Sequence, residues 1–220
     1  MKKSKQVFIF FGPPGSGKGT QSDMLSVKLG LPAVSTGELL RNEQRLKTKL
    51  GKDAARYMKQ GKLAPDKIVE ALMDKRLLKR DMAKGFILDG YPRNQSQLDD
   101  LLRLLKDRYD IWLIEVRVQD KEVINRLSGR RICPKCGANF HLVYNPPKKI
   151  GICNVCGSKL TTREDDKLAT VRGRLSRYKD TAEPLLIYAK KHKKLMSING
   201  EQSIAKVQKD ILAKITKLID

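Results

Sequence analysis

The run Gln6-Val7-Phe8-Ile9-Phe10-Phe11 sets five apolar side chains in a row without alternation and stops at Gly12-Pro13-Pro14-Gly15. That pattern predicts a strand buried on both faces, followed by a turn. Residues 20–29 then carry Met24, Leu25 and Leu29 at helical spacing and close at Gly30, a natural C-terminal cap. The same rhythm continues. The hydroxyls before Glu38-Leu39-Leu40 can cap a second helix, and Pro65-Asp66 opens a third on Ile68, Val69, Leu72, Met73 and Leu77. Phe86-Ile87-Leu88 and residues 111–118 read as strands, with Leu98, Leu101, Leu102 and Leu105 marking a helix between them. Asp120 can cap a helix through Leu127, a long amphipathic stretch follows Asp166, residues 195–198 form a last strand candidate, and residues 204–219 a closing helix. Alternating strands and helices predict an α/β protein with a mostly parallel sheet.

One segment breaks the rhythm. Residues 132–162 hold four cysteines, Pro146-Pro147 and several glycines with no sustained helical period, so they read as an inserted subdomain held by something other than a core. The total length of 220 residues accommodates one main domain and such an insert. Hydrophobic residues make up 40% and charged residues 32%, and no run approaches the roughly 18 apolar residues of a membrane span. The five apolar residues behind the basic start are too few for a secretory signal, so a cytoplasmic protein is expected. The formal net charge is +22. Its Lys and Arg residues are scattered and interleaved with Asp and Glu, as on a solvated surface, and nucleic acids and nucleotides would both be attracted by that field.

Gly12-Pro13-Pro14-Gly15-Ser16-Gly17-Lys18 fits the phosphate-binding loop pattern of glycine, four residues, glycine and lysine. Its glycines let backbone amides turn toward phosphate oxygens, the next helix offers its N-terminus to the anion, and Lys18 can neutralise β- and γ-phosphate charge. Gly19 follows Lys18 and Thr20 comes one place later, so the metal-binding hydroxyl of the strict pattern is displaced. The pairs Cys133/Cys136 and Cys153/Cys156 are separated by sixteen residues, a spacing that suits a four-thiolate structural metal site, zinc or iron, with no open catalytic position. Two disulfides are the alternative, and they belong to an extracellular chain. A metal-stapled ribbon can also bind nucleic acid, so a nucleotide-regulated nucleic-acid binder is the second reading of the whole chain. His141 lies outside both cysteine pairs and reads as structural or exposed, and the basic run of residues 190–194 as a solvated helix end.

Three further segments complete a resemblance: Ser35-Thr36-Gly37-Glu38-Leu39-Leu40-Arg41, Gly85-Phe86-Ile87-Leu88-Asp89-Gly90-Tyr91-Pro92-Arg93, and Thr161-Thr162-Arg163-Glu164-Asp165-Asp166. With residues 12–20 they resemble the adenylate kinases, in the bacterial form with a long metal-stapled lid, and the likeness runs from residue 7 to about residue 207. The Gly-Lys-Gly-Thr form of the loop is also what that family carries. The resemblance implies a three-layer P-loop NTPase fold with a parallel central sheet. It divides the chain into a core of residues 1–34, 65–129 and 167–220, a helical acceptor insert at 35–64, and a zinc-ribbon-like lid at 130–166.

The resemblance also implies reversible transfer of the terminal phosphoryl group of ATP to AMP, giving two ADP, with Mg2+ as cofactor and a structural Zn2+ on Cys133, Cys136, Cys153 and Cys156. It puts ATP against Gly15, Ser16, Gly17, Lys18, Gly19, Thr20, Arg126, Arg130, Asn139, Phe140 and Gln202. AMP falls to Thr36, Arg41, Lys62, Leu63, Ala64, Gly90, Tyr91, Pro92, Arg93, Gln97, Arg163 and Arg172. Lys18, Arg93, Arg130, Arg163 and Arg172 would carry the chemistry, with Asp89 orienting the metal through water and Asp165 and Asp166 latching the lid. Gln97 and the long lid favour AMP over CMP or UMP, since a carboxamide matches the donor and acceptor edge of adenine. A monomer with no membrane or nucleic-acid partner is expected.

Overall fold

The computed structural model describes residues 5–219. Five parallel strands form the central sheet: β1 (Lys5–Phe11), β2 (Ala33–Ser35), β3 (Gly85–Asp89), β4 (Tyr109–Arg117) and β7 (Leu195–Asn199), in the order β2-β3-β1-β4-β7. The unalternating pattern of β1 has its expected cause. Val7, Ile9 and Phe11 point into one core and Phe8 and Phe10 into another, so both faces of the strand are covered. The Phe8 face packs on α1 (Lys18–Leu29) and α8 (Ile204–Ile219), through Leu25, Val207, Ile211 and Ile215. The Val7 face packs on α4 (Asp66–Leu77), α5 (Gln95–Leu105) and α7 (Leu168–Lys191), through Val69, Met73, Leu101, Leu105 and Leu185. These layers are the α/β P-loop architecture expected from the sequence.

Two helices, α2 (Thr36–Arg45) and α3 (Lys49–Lys59), lie between β2 and α4. α3 carries Leu50, Ala54, Tyr57 and Met58 at helical spacing and packs on α2 with the small residues Gly51 and Ala54 buried. Its N-terminus is capped by Thr48, whose hydroxyl accepts from the Gly51 amide at 3.0 Å. Two expected caps fail: Ser35 makes no side-chain bond to α2, and α6 (Asp120–Gly129) begins after Gln119, leaving the Asp120 carboxylate on Lys179 at 3.0 Å. Between α6 and α7 the chain forms a small antiparallel pair, β5 (Arg130–Ile132) with β6 (Asn139–His141), and two cysteine-bearing turns. No described helix is long and apolar enough to cross a membrane.

Candidate active site

Every strand of a parallel sheet ends on the same side, and a cavity of ≈ 480 Å³ opens there, beyond the ends of β1, β2, β3 and β7. Ligands of open α/β sheets bind at that edge. The loop after β1 forms its floor. A side chain at Gly12 would begin 2.5 Å from the Val116 carbonyl oxygen, so only glycine lets the loop leave the sheet. Gly17 caps α1 in the left-handed region, at φ 93°, and turns the α1 N-terminus toward the cavity.

Nine Lys and Arg side chains line the cavity against four carboxylates, an imbalance that suits a polyanion. Burial pushes Lys18 down to about 8, and Arg93, Arg174 and Arg130 act in the same direction against the opposing field of Asp89. Arg163 is pushed down to about 9 by burial and by the guanidinium groups of Arg130 and Arg41. These cations repel one another until anions arrive, and phosphate groups relieve that repulsion.

At one end of the cavity, Thr36 donates its hydroxyl to the Gly90 carbonyl at 2.9 Å, and Arg93 Nε donates to the same oxygen at 2.7 Å. Arg41 is held by Glu38 at 2.7 Å, and Glu38 also receives Arg163 at 3.3 Å. Lys62, Leu63, Ala64, Gly90, Pro92 and Gln97 line the same end. Tyr91 does not. Only 4% exposed, it turns into the core under α4 and α5.

At the other end, Gly15, Ser16, Gly17, Lys18, Gly19, Thr20, Asn139, Phe140 and Gln202 line the cavity. Arg126 is fixed by Glu122 at 2.7 Å and by the carbonyls of Ser16 at 3.3 Å and Gly200 at 2.9 Å. Its guanidinium lies 5.4 Å from the centre of the Tyr144 ring, whose hydroxyl donates to Glu122 at 3.0 Å. His141 lines this end too, with Nδ1 accepting from the amides of Val143 and Tyr144.

Between the two ends, Arg130 Nε donates to Asp166 at 2.7 Å, and Arg174 pairs with Asp165 at 3.1 Å and Asp166 at 3.0 Å. Arg172, expected here, is exposed and away from the cavity. Two residues along a helix are roughly 200° of rotation. Arg172 and Arg174 therefore face opposite ways, and Arg174 is the one in the cavity.

The four cysteines come together as their spacing predicts. Their sulfurs lie within 4.8 Å of one another, with Cys133 to Cys156 at 3.3 Å and Cys136 to Cys153 at 3.6 Å. No disulfide is formed. Four thiolates about 2.3 Å from one tetrahedral ion stand roughly 3.8 Å apart, so the donor set fits zinc.

A family model described as Adenylate kinase matches residues 10–194. The chain belongs to the adenylate kinase family. A protein named adenylate kinase from Caldicellulosiruptor saccharolyticus is 44% identical over 93% of this chain and 96% of its own length. Proteins of the same name from Methanocella arvoryzae and Archaeoglobus fulgidus are each 45% identical over 96% of this chain, covering 99% and 98% of their own lengths.

Several residues of this adenylate kinase cavity escape sequence reasoning: Arg174, Arg177, Glu38, Tyr144 and His141. Arg172-Gly173-Arg174 offers two candidates, but the buried Val171 and Leu175 lie equally far round α7 from both, so the pattern does not choose between them. Arg177, whose Nη2 donates to the Gly61 carbonyl at 2.6 Å, had no sequence signal.

Proposed function

We propose a division of labour for the reaction of this adenylate kinase, ATP plus AMP giving two ADP. The amides of residues 15–20 and Lys18 hold the β- and γ-phosphates of ATP, and Arg126, Asn139, Phe140 and the backbone at Gln202 hold its adenosine end. Arg41 and Arg93 hold the AMP phosphate, while Thr36, the backbone of residues 62–64, Gly90, Pro92 and Gln97 hold its nucleoside. Arg130, Arg163 and Arg174 surround the group in transfer.

An AMP phosphate oxygen forms a bond to the γ-phosphorus as the bond to the β-bridging oxygen breaks. The attacking oxygen is already anionic, so no protein group must take a proton. Guanidinium forks cancel charge on the equatorial oxygens and fix the line of attack. Magnesium, when bound with ATP, would supply further charge neutralisation to the phosphates. Asp89 fits a role beside it, because its Oδ1 is buried with no hydrogen-bond partner. Zinc on Cys133, Cys136, Cys153 and Cys156 would take no part in the step; it would stiffen the lid, residues 130–166, which keeps water from the γ-phosphate. The acceptor insert, residues 35–64, closes from the other side. We expect a cytoplasmic monomer.

The observation that carries this reading is the nine-cation cavity built on the phosphate-binding loop at the carboxyl ends of parallel strands. A coupled assay with Mg-ATP and a panel of AMP, CMP, UMP and GMP tests it. AMP should give the highest kcat/KM by a wide margin, and a preference for CMP or UMP would reassign the acceptor.

A further inference from the structure

Gln97 lines the acceptor end of the cavity and is 2% exposed, yet its carboxamide is already half engaged. Its Oε1 accepts from the Arg93 amide at 2.9 Å, and its Nε2 donates to Asp66 Oδ1 at 2.5 Å. Asp66 is held in turn by Asn94, whose Nδ2 donates to both carboxylate oxygens at 3.2 and 3.0 Å. Asn94 Oδ1 accepts from the Gln97 amide at 2.8 Å, as the cap of α5.

We propose that Asp66 sets the acceptor-base specificity of the enzyme by locking the orientation of the Gln97 carboxamide. The inference rests on the proposed function, in which Gln97 meets the base of the acceptor. A carboxamide has two N–H donors and two oxygen lone pairs, and it can turn over at little steric cost. Here it has no such freedom. The Arg93 amide can only donate and an ionised carboxylate can only accept, so the inverted amide would set N–H against N–H and oxygen against oxygen.

One N–H and one lone pair remain, in fixed places. The Watson–Crick edge of adenine offers the complement, an acceptor at N1 and a donor at N6. Hypoxanthine and guanine present the reverse, a donor at N1 and an acceptor at O6, and would meet two like groups in a buried setting. Uracil is reversed in the same way. Cytosine shares the pattern of adenine but is one ring shorter, so size separates those two.

Asp66 is thus a positioning residue, and the test compares AMP with IMP, which differ only at this edge. In Asp66→Ala the Arg93 amide still favours one orientation, so discrimination should weaken without vanishing. The ratio of kcat/KM for AMP to that for IMP should fall about tenfold or more, the scale set by one charge-assisted hydrogen bond, with KM for ATP unchanged. Asp66→Asn, which keeps the shape but can turn either edge to Gln97, should fall between wild type and Asp66→Ala; it also serves if the alanine variant folds poorly. A Gln97→Leu background decides the mechanism, because there Asp66→Ala should leave the ratio where Gln97→Leu put it. An unchanged ratio in both Asp66 variants overturns the inference, and so does an equal fall in the Gln97→Leu background. A wild-type enzyme that ignores AMP would overturn the functional reading itself.

Discussion

Replacing Arg174 by alanine is expected to lower kcat by about 10³-fold, the scale of removing one transition-state cation, while Arg172→Ala stays close to wild type. The two arginines share a helix and a charge, so the contrast isolates direction. Arg174 points into the cavity, braced by Asp165 and Asp166, and Arg172 points to solvent. The Asp166 side chain is only 3% exposed and keeps Arg130 when Arg174 is lost, while Asp165 loses its ion pair but stays in the field of Arg130 and Arg163, so the fold should survive. Steady-state rates with ATP and AMP, beside a thermal melt for each variant, check this. A larger loss from Arg172→Ala would place the wrong face of α7 at the reaction.

The zinc proposed for the cysteine site predicts that its removal unfolds residues 130–166 while leaving the sheet intact. The lid core is small, with Cys133, Phe140 and Cys153 buried and Ala138, Cys156 and Leu160 packed against them. Val143, Ile150 and Val155 stay in solvent. Burial at ~25 cal/mol per Å2 cannot order so short a segment, and a structural zinc contributes on the order of 10 kcal/mol or more. Either chelation or Cys133→Ser should make residues 130–166 the first target of limited proteolysis. It should also cut phosphoryl transfer about tenfold or more and raise ATP hydrolysis relative to transfer, since closure is what excludes water. A metal-stripped protein that resists proteolysis there and keeps full transfer activity would show that the lid stands without its staple.

The sheet was legible because its strands are buried on both faces, and unbroken apolar runs such as residues 7–11 leave little choice. The loop of residues 12–20 was legible because phosphate binding constrains its glycines and lysine together. The hidden features have physical reasons too. α3 buries the small residues Gly51 and Ala54 while Leu50 and Tyr57 stay exposed, so its helical period does not tell what it packs against. Tyr91 and Arg172 sit inside or beside recognisable motifs, and only the path of the chain decides whether such a side chain faces the cavity or the other way. The coupling of Asp66 to Gln97 spans thirty-one positions and joins the starts of two helices, a contact that periodicity does not reveal.

Phosphate is expected to pass directly between two nucleotides held by cations, with no covalent intermediate on the protein. The competing nucleophile is Asp89, whose Oδ1 is buried with no hydrogen-bond partner. ATP made chiral at the γ-phosphorus with three oxygen isotopes, turned over with AMP, reports the number of displacements. A single in-line transfer inverts the configuration in the product ADP, which is the result expected here; retention would mean two displacements through a phosphorylated enzyme and would rule out direct transfer.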